Sequence, residues 1–381
     1  MRKIYLDNSA STPVDRKVTV EIVKTAKDFY ANPSSFNDLG RQANKVLNQS
    51  RLRVARFLGA HSDEVIFTSS GSAANSLALL GLAQKNKNKK EIILSRIEHK
   101  SVLASAFYLE SLGYKINWLE VDREGRVNPE DVKKEINKNT LFVSVMYANN
   151  EVGTIQPIIK IGKIIKDSRQ ENRANFPVFH VDACQATDFL NMNANSLGAD
   201  LLVFNGSKIY GPKGIAVLYK KRGVELESQI RGGDQEYGLV AGTENLPSIA
   251  GLAKALDLVN KKNALKISKL RDYLLSKLKS IPDLIINGPL GQDRLSNNIN
   301  FSIKGIGSEI LLAKLDQCGI YGGSGSACTS RSVEPSHVLV AMKTEPGYLN
   351  GSIRLSLGRQ TKKGDLDFVY SSLEKIIDQL K

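Results

Sequence analysis

Cysteine, histidine, tryptophan and methionine are scarce: three Cys, four His, one Trp and four Met in 381 residues. The cysteines, Cys184, Cys318 and Cys328, are odd in number and form no Cys-x-x-Cys pair, which argues against a disulfide framework and a cysteine zinc site. The histidines, His61, His99, His180 and His337, show no metal-ligand spacing, so no metal is expected. No apolar stretch approaches the roughly 18 residues of a membrane span, and Met1-Arg2-Lys3-Ile4-Tyr5-Leu6-Asp7 holds no apolar run of the signal-peptide kind. A soluble, cytoplasmic protein is expected, in a reducing compartment where a lone thiol stays reactive.

Acidic residues are the scarcer charge, 39 Asp plus Glu against 53 Lys plus Arg, a net +14. Part of the excess lies in stretches such as residues 85–90 and 261–269. The plain reading is a lysine-rich solvated surface; the alternative is docking of acidic partner proteins or tRNA-modifying machinery. No aromatic-interleaved basic motif points to direct nucleic-acid binding. With 41% hydrophobic and 24% charged residues the chain has the composition of an ordinary globular protein, long enough for one large and one small domain.

Short β-branched runs alternate with amphipathic stretches. Strands are predicted at 64–68, 91–95, 116–121, 141–146, 178–181, 201–204 and 214–218, with helical patterns at 73–83, 101–112 and 158–169. This alternation reads as βαβ units: an α/β fold with a mostly parallel sheet sandwiched by helices. Later strands at 299–303 and 352–356 indicate a smaller α+β unit. The expected division is a large domain, 13–250, and a small domain formed by 1–12 with 251–381. Ligands of parallel sheets bind beyond the carboxyl ends of the strands. Those ends are Ser69-Ser70-Gly71-Ser72, Ile97-Glu98-His99-Lys100, Tyr147-Ala148-Asn149-Asn150-Glu151, Asp182-Ala183-Cys184-Gln185 and Asn205-Gly206-Ser207-Lys208.

Taken alone, Asp182 reads equally as a strand-end cap and Lys208 as a surface lysine. Together they suit a pyridoxal-phosphate site, which needs a lysine for a Schiff base and a carboxylate to keep the pyridinium nitrogen protonated. Ser69-Ser70-Gly71-Ser72, between a strand and a helix, is suited to a phosphate: glycine lets the backbone approach and the helix N-terminus favours an anion. Many strand–helix turns share that pattern.

The ordered set of motifs is more specific. Tyr5-Leu6-Asp7-Asn8-Ser9-Ala10, Glu98-His99-Lys100, Asn149-Asn150-Glu151-Val152-Gly153, His180-Val181-Asp182-Ala183, Lys208-Ile209-Tyr210-Gly211-Pro212-Lys213-Gly214, Ala241-Gly242-Thr243-Glu244-Asn245 and Ser352-Ile353-Arg354-Leu355-Ser356-Leu357-Gly358-Arg359 follow one another over essentially the whole chain. In this the chain resembles the cysteine desulfurases, first group, of the class V aminotransferase-like, fold-type I pyridoxal-phosphate family. The resemblance implies pyridoxal 5'-phosphate held covalently by Lys208, with Asp182 at the pyridinium nitrogen. It also implies His99 against the ring, Gln185 and Asn150 near its hydroxyl, and Gly71, Ser72, Asn205 and Ser207 at the phosphate. Arg354, with Asn150, would bind the substrate carboxylate. Thr243 would reach the phosphate of a neighbouring subunit, implying a homodimer. The small domain would carry the loop Tyr321-Gly322-Gly323-Ser324-Gly325-Ser326-Ala327-Cys328-Thr329-Ser330, followed by Glu334-Pro335-Ser336-His337. Cys328 would take sulfur from L-cysteine as a persulfide, release L-alanine, and pass the sulfur to an acceptor in iron–sulfur cluster assembly or tRNA thiolation. An ordinary thiol, pKa about 8.5, is only a few per cent thiolate at pH 7, so activation by substrate or nearby basic groups is expected. Cys184 and Cys318 read as small packing residues.

The chain departs from the family pattern at four places. Asn205-Gly206-Ser207-Lys208 stands for Ser-x-His-Lys, and Gly71-Ser72-Ala73 for Ala-Thr-Glu. Residues 236–243, with Tyr237 and Val240, stand for Glu-Arg-Gly-x-Arg-x-Gly-Thr, and Asn37 stands where histidine is common. Only 22 residues follow Arg359, fewer than the tail that some members use to dock a scaffold protein. An active enzyme with lowered rate or shifted preference is expected. A selenocysteine lyase-like activity and a catalytically diverged scaffold paralogue stay open as alternatives.

Overall fold

The computed structural model describes residues 2–325 and 335–380. Its strands are β1 Ile4–Tyr5, β2 Val65–Thr68, β3 Glu91–Ser95, β4 Lys115–Leu119, β5 Thr140–Ser144, β6 Val178–Asp182, β7 Leu201–Asn205, β8 Ala216–Lys220, β9 Leu284–Ile286, β10 Asn298–Ile303, β11 Ile320–Tyr321 and β12 Ser352–Ser356. Seven of them form the main sheet in the order β2-β8-β7-β6-β5-β3-β4. All pairings are parallel except those of β8, which runs antiparallel to β2 and β7.

Successive side chains of a strand point to opposite faces, and these strands bury both. In β7, Leu201 and Val203 pack into one core while Leu202 and Phe204 pack into another; β3 and β8 alternate likewise. The first core is closed by helices Gly71–Lys85 and Lys100–Ser111, the second by Arg16–Asp28, Asp38–Leu58, Ile158–Glu171 and Leu246–Asp257. Double burial explains why the strands read as continuous apolar runs. The helix Asp38–Leu58 starts on the Asn37 side chain, which accepts from Gly40 N, and ends at left-handed Gly59.

A third core joins Ile4 and Leu6 to side chains between Ile267 and Ile377. It covers the antiparallel sheet β12-β10-β9, and beside it β1 pairs in parallel with β11. The α/β class and its mainly parallel, helix-flanked sheet are thus as the sequence implied. All seven expected strands of the main sheet are found, with ends moved by one or two residues. The run expected at 214–218 pairs as Ala216–Lys220 because Gly214, at φ 75°, belongs to the preceding turn. The two- and three-residue strands β1, β9 and β11 are too short for a period to show. No helix among the described residues is long and apolar enough to cross a membrane.

One buried ion pair ties the helix Asp38–Leu58 to the sheet edge. Arg51 donates from Nη1 and Nη2 to the Glu236 carboxylate, both at 2.7 Å, and Glu236 Oε2 also accepts from Phe67 N at 2.8 Å. Tyr237 lies over the same guanidinium, 5.3 Å from ring centroid to Cζ. Glu236→Gln should lower the unfolding free energy by about 3–5 kcal/mol, the range for leaving one member of a buried pair uncompensated. A urea-unfolding midpoint equal to the parent's would show that the pair carries no stability.

Candidate active site

The carboxyl ends of β3, β5, β6 and β7, with the turn after β2, border a cavity of about 430 Å³. Of the residues singled out in the sequence, Gly71, Ser72, His99, Asn150, Asp182, Gln185, Asn205, Lys208 and Arg354 all line it.

Asp182 ends β6 and is buried. Its Oδ2 accepts from Asn75 Nδ2 at 2.8 Å and its Oδ1 from Cys184 N at 3.0 Å. Asn75 Oδ1 lies 3.1 Å from His180 Nε2, and His180 Nδ1 lies 2.8 Å from Ser144 Oγ. Burial pushes His180 down to about 4, against the opposing pull of Asp182. A neutral ring that donates from Nε2 to Asn75 and accepts from Ser144 at Nδ1 satisfies every partner.

Above this chain, Ser70 caps the helix Gly71–Lys85, its Oγ accepting from Ala73 N at 3.1 Å. A Cβ at residue 71 would stand 3.1 Å from Cys184 Sγ and 3.2 Å from Asn205 Nδ2, so glycine lets the turn close down on the cavity floor. The first turn carries no acidic side chain, which leaves the helix N-terminus open to an anion. His99 caps the helix Lys100–Ser111 and accepts from Ser101 N at Nδ1, 3.2 Å. Burial lowers its pKa, which keeps the ring neutral with its proton on Nε2.

The N-terminal segment straps the far side. Ala10 O accepts from Lys208 Nζ at 2.5 Å, Ser9 O from Gln185 Nε2 at 3.0 Å, and Asp7 Oδ1 from Arg354 Nη2 at 2.8 Å. Asn150 O accepts from Arg354 Nη1 at 3.1 Å.

Two singled-out residues do not line this cavity. Ser207 donates from Oγ to Asn205 Oδ1 at 3.0 Å, and its carbonyl accepts from Thr12. Thr243 is exposed in the turn before the helix Leu246–Asp257. Cys328 lies outside the described residues; Gly325 and His337, which flank that stretch, both line the cavity. Among the described residues no His, Cys, Asp and Glu cluster could hold a metal ion. Cys318 is half-buried against the third core, whereas Cys184 lines the cavity, and burial raises its pKa well above the ordinary thiol range.

Sequence reasoning missed Asn75, although it stands four residues after Gly71 and therefore on the same helix face. It also missed the carbonyls of Ser9 and Ala10, which carry no side-chain signal.

Glu98 is the other omission. It is fully buried; Oε1 accepts from Ser95 Oγ at 2.5 Å and Met146 N at 2.8 Å, while Oε2 has no partner among the described residues. Burial, reinforced by the Asp182 charge, pushes it up to about 8. From the ordinary value near 4.5 up to 8, the folded chain holds a Glu98 proton that the unfolded chain has lost, so stability falls as pH rises. His180 acts in the opposite sense between about 4 and 6.5. The unfolding free energy of the parent should therefore decline from about pH 6.5 to 8 relative to Glu98→Gln; parallel pH profiles would contradict this.

A family model described as Aminotransferase class-V matches residues 4–369. Cysteine desulfurase IscS of Dictyoglomus turgidum is 41% identical over an alignment covering 100% of this chain and 96% of that protein. Cysteine desulfurase IscS of Methanosarcina thermophila is 40% identical, covering 100% and 93%. Among solved structures, a NifS-like protein superposes with a TM-score of 0.92 at 33% identity, covering 99% of this chain and 100% of that one. SspA in complex with cysteine gives a TM-score of 0.82 at 32% identity, covering 93% and 99%. The chain therefore belongs to the class-V aminotransferase family, within its cysteine desulfurase branch.

Proposed function

We propose that this protein is a pyridoxal-phosphate-dependent cysteine desulfurase that moves sulfur from L-cysteine onto Cys328. The observation that carries the reading is that Lys208 and a doubly hydrogen-bonded Asp182 line one cavity with a helix N-terminus. That donor set fits the cofactor: an amine for its aldehyde, a buried carboxylate for its ring nitrogen and backbone N–H groups for its phosphate.

When bound, the cofactor supplies an electron sink for the substrate's α-carbon. Lys208 would hold it covalently through Nζ. Asp182, fixed by Asn75 and Cys184 N, would keep the ring nitrogen protonated. Gly71 and Ser72 would give backbone N–H donors to the phosphate, with Asn205 beside them and Ser207 acting through Asn205. His99 would lie against the ring with its Nε2 proton available, and Gln185 and Asn150 would serve the ring hydroxyl. Arg354 would bind the substrate carboxylate through its planar, permanently charged fork. Cys328 would form an S–S bond to the substrate sulfur as the C–S bond breaks, and protonation of the carbon would give L-alanine.

Residues 13–250 would form the cofactor-binding domain, and 1–12 with 251–381 the smaller one; the separate core joining Ile4 and Leu6 to the C-terminal third supports this division. A homodimer is supported by the exposure of Val20, Val23, Tyr30 and Phe36, the last 97% exposed, and by exposed Thr243, which would reach the neighbour's cavity. The net charge of +14 favours an acidic sulfur acceptor, in iron–sulfur cluster assembly or tRNA thiolation. A cytoplasmic site suits a protein whose chemistry needs a reduced thiol.

The purified protein should be yellow, and borohydride should fix the cofactor on Lys208. Lys208→Ala should lose that linkage, and finding the cofactor on Lys213 or another lysine would overturn the assignment. With L-cysteine, mass spectrometry should find a persulfide on Cys328 in the parent and in Cys184→Ser and Cys318→Ser, and none in Cys328→Ser. A persulfide retained by Cys328→Ser would refute the role given to that thiol.

A further inference from the structure

Arg354 is more tightly held than its place in a substrate cavity requires. Its side chain is 3% exposed, and its charge is met by Asp7, 21% exposed, across 2.8 Å. Among the described residues Asp7 is the one carboxylate paired with it. Nη2 donates to Asp7 Oδ1 and Nη1 to Asn150 O, while Nε is buried and has no partner among the described residues. A guanidinium has five N–H groups; with Nε enclosed, one hydrogen on each terminal nitrogen remains for a ligand.

Asp7 is itself fixed. Its carbonyl accepts from Ala10 N at 3.0 Å, Ser11 N at 3.2 Å and Tyr5 Oη at 3.1 Å, and the adjoining Leu6 O accepts from Ser356 N at 2.6 Å. Gly323 closes the other side of the pair. Its N and O bond the Arg354 backbone at 3.0 and 2.6 Å. A Cβ there would meet Asp7 Oδ1 at 3.0 Å and Arg354 Nη2 at 3.2 Å.

We infer that Asp7 is a positioning residue for substrate binding: it fixes the Arg354 guanidinium so that its remaining N–H groups stay directed into the cavity for the substrate carboxylate. The inference rests on the reading of Arg354 as the carboxylate-binding group. A free arginine side chain would have to be ordered at each binding event, and that ordering weakens affinity. The anchor also weakens the electrostatic attraction at the site, because a negative charge sits beside the guanidinium. Affinity then comes from alignment more than from net charge.

Steady-state kinetics with L-cysteine on the holoenzyme test this, together with the inhibition constant of propionate, which offers a carboxylate without amine or thiol. Asp7→Ala should raise KM and the propionate constant together by about tenfold, with kcat within about twofold of the parent, as expected for loss of one charge-assisted hydrogen bond. Asp7→Asn keeps an oxygen that can accept from Nη2 and should restore both constants to within about threefold. Arg354→Ala should raise KM further, and adding Asp7→Ala to it should change nothing more, because Asp7 acts only through Arg354.

If Arg354→Ala raises KM while Asp7→Ala leaves it unchanged, or if the two effects multiply, the positioning role is wrong and the reading of Arg354 stands. If Arg354→Ala leaves KM unchanged, that reading falls and takes the inference with it. Should Asp7→Ala fail to fold, Gly323→Ala, which presses on the pair from outside, is expected to raise KM several-fold, and an unchanged KM would overturn the inference.

Discussion

A single negative charge, that of Asp182, organises the site. It stands at the end of a central strand, largely out of water, where a carboxylate without hydrogen-bond partners is costly. Two hydrogen bonds, from Asn75 and Cys184 N, offset the loss of solvent. The same charge favours the protonated forms of Glu98, His99, His180 and Cys184. Burial decides what each then does. It outweighs the attraction at the two imidazoles, which stay neutral, and adds to the effect at Glu98 and Cys184, which keep their protons. The four titratable groups that feel the Asp182 charge therefore add no charge of their own around it, while Glu151, Lys100, Lys208 and Arg354 carry the other charged side chains of the cavity lining.

Keeping Asp182 bonded sets the roles of residues that touch no ligand. With the Asn75 amide nitrogen turned to Asp182, its buried oxygen needs a donor, and His180 Nε2–H supplies one. His180 can donate there only as the tautomer whose Nδ1 accepts, and Ser144 Oγ supplies that proton. The chain of bonds runs from β5 through β6 to the helix Gly71–Lys85, so the geometry at the cavity floor is held by the core of the sheet.

Much of this was legible in the sequence, because the main sheet is regular. Buried strands of five residues and helices with capped starts leave period, run length and turn chemistry in the chain, so each strand end could be found and inspected for polar groups. Each of those ends contributes at least two residues to the cavity lining. What could not be read is what tertiary docking brings. Lys208 meets a carbonyl 198 positions away, and Arg354 meets a carboxylate 347 positions away. The first is backbone, which has no residue identity, and the second depends on pairing of the two-residue strands β1 and β11. Thr243 and Ser207 are different cases: the first faces solvent and the second acts on Asn205, so their motif matches carry no cavity contact in a single chain.

The departures from the family pattern have local structural employment. Asn37 caps a helix, with its side chain accepting from Gly40 N. Glu236 and Tyr237 both take left-handed backbone conformations, φ 49° and 60°, which cost non-glycine residues energy. The Arg51 guanidinium offsets that cost by bonding the first side chain and lying against the ring of the second. An arginine at 237 would put a second cation beside Arg51, so the aromatic ring is the compatible neighbour for a buried guanidinium already matched to one glutamate. Ser207 reaches Asn205 instead of the cavity. The Thr12 clasp on its carbonyl then keeps the backbone leading into Lys208 aligned without help from a larger side chain. Charge has thus been lost around the site, while the hydrogen bonds that orient Lys208, Asp182 and Arg354 are all in place.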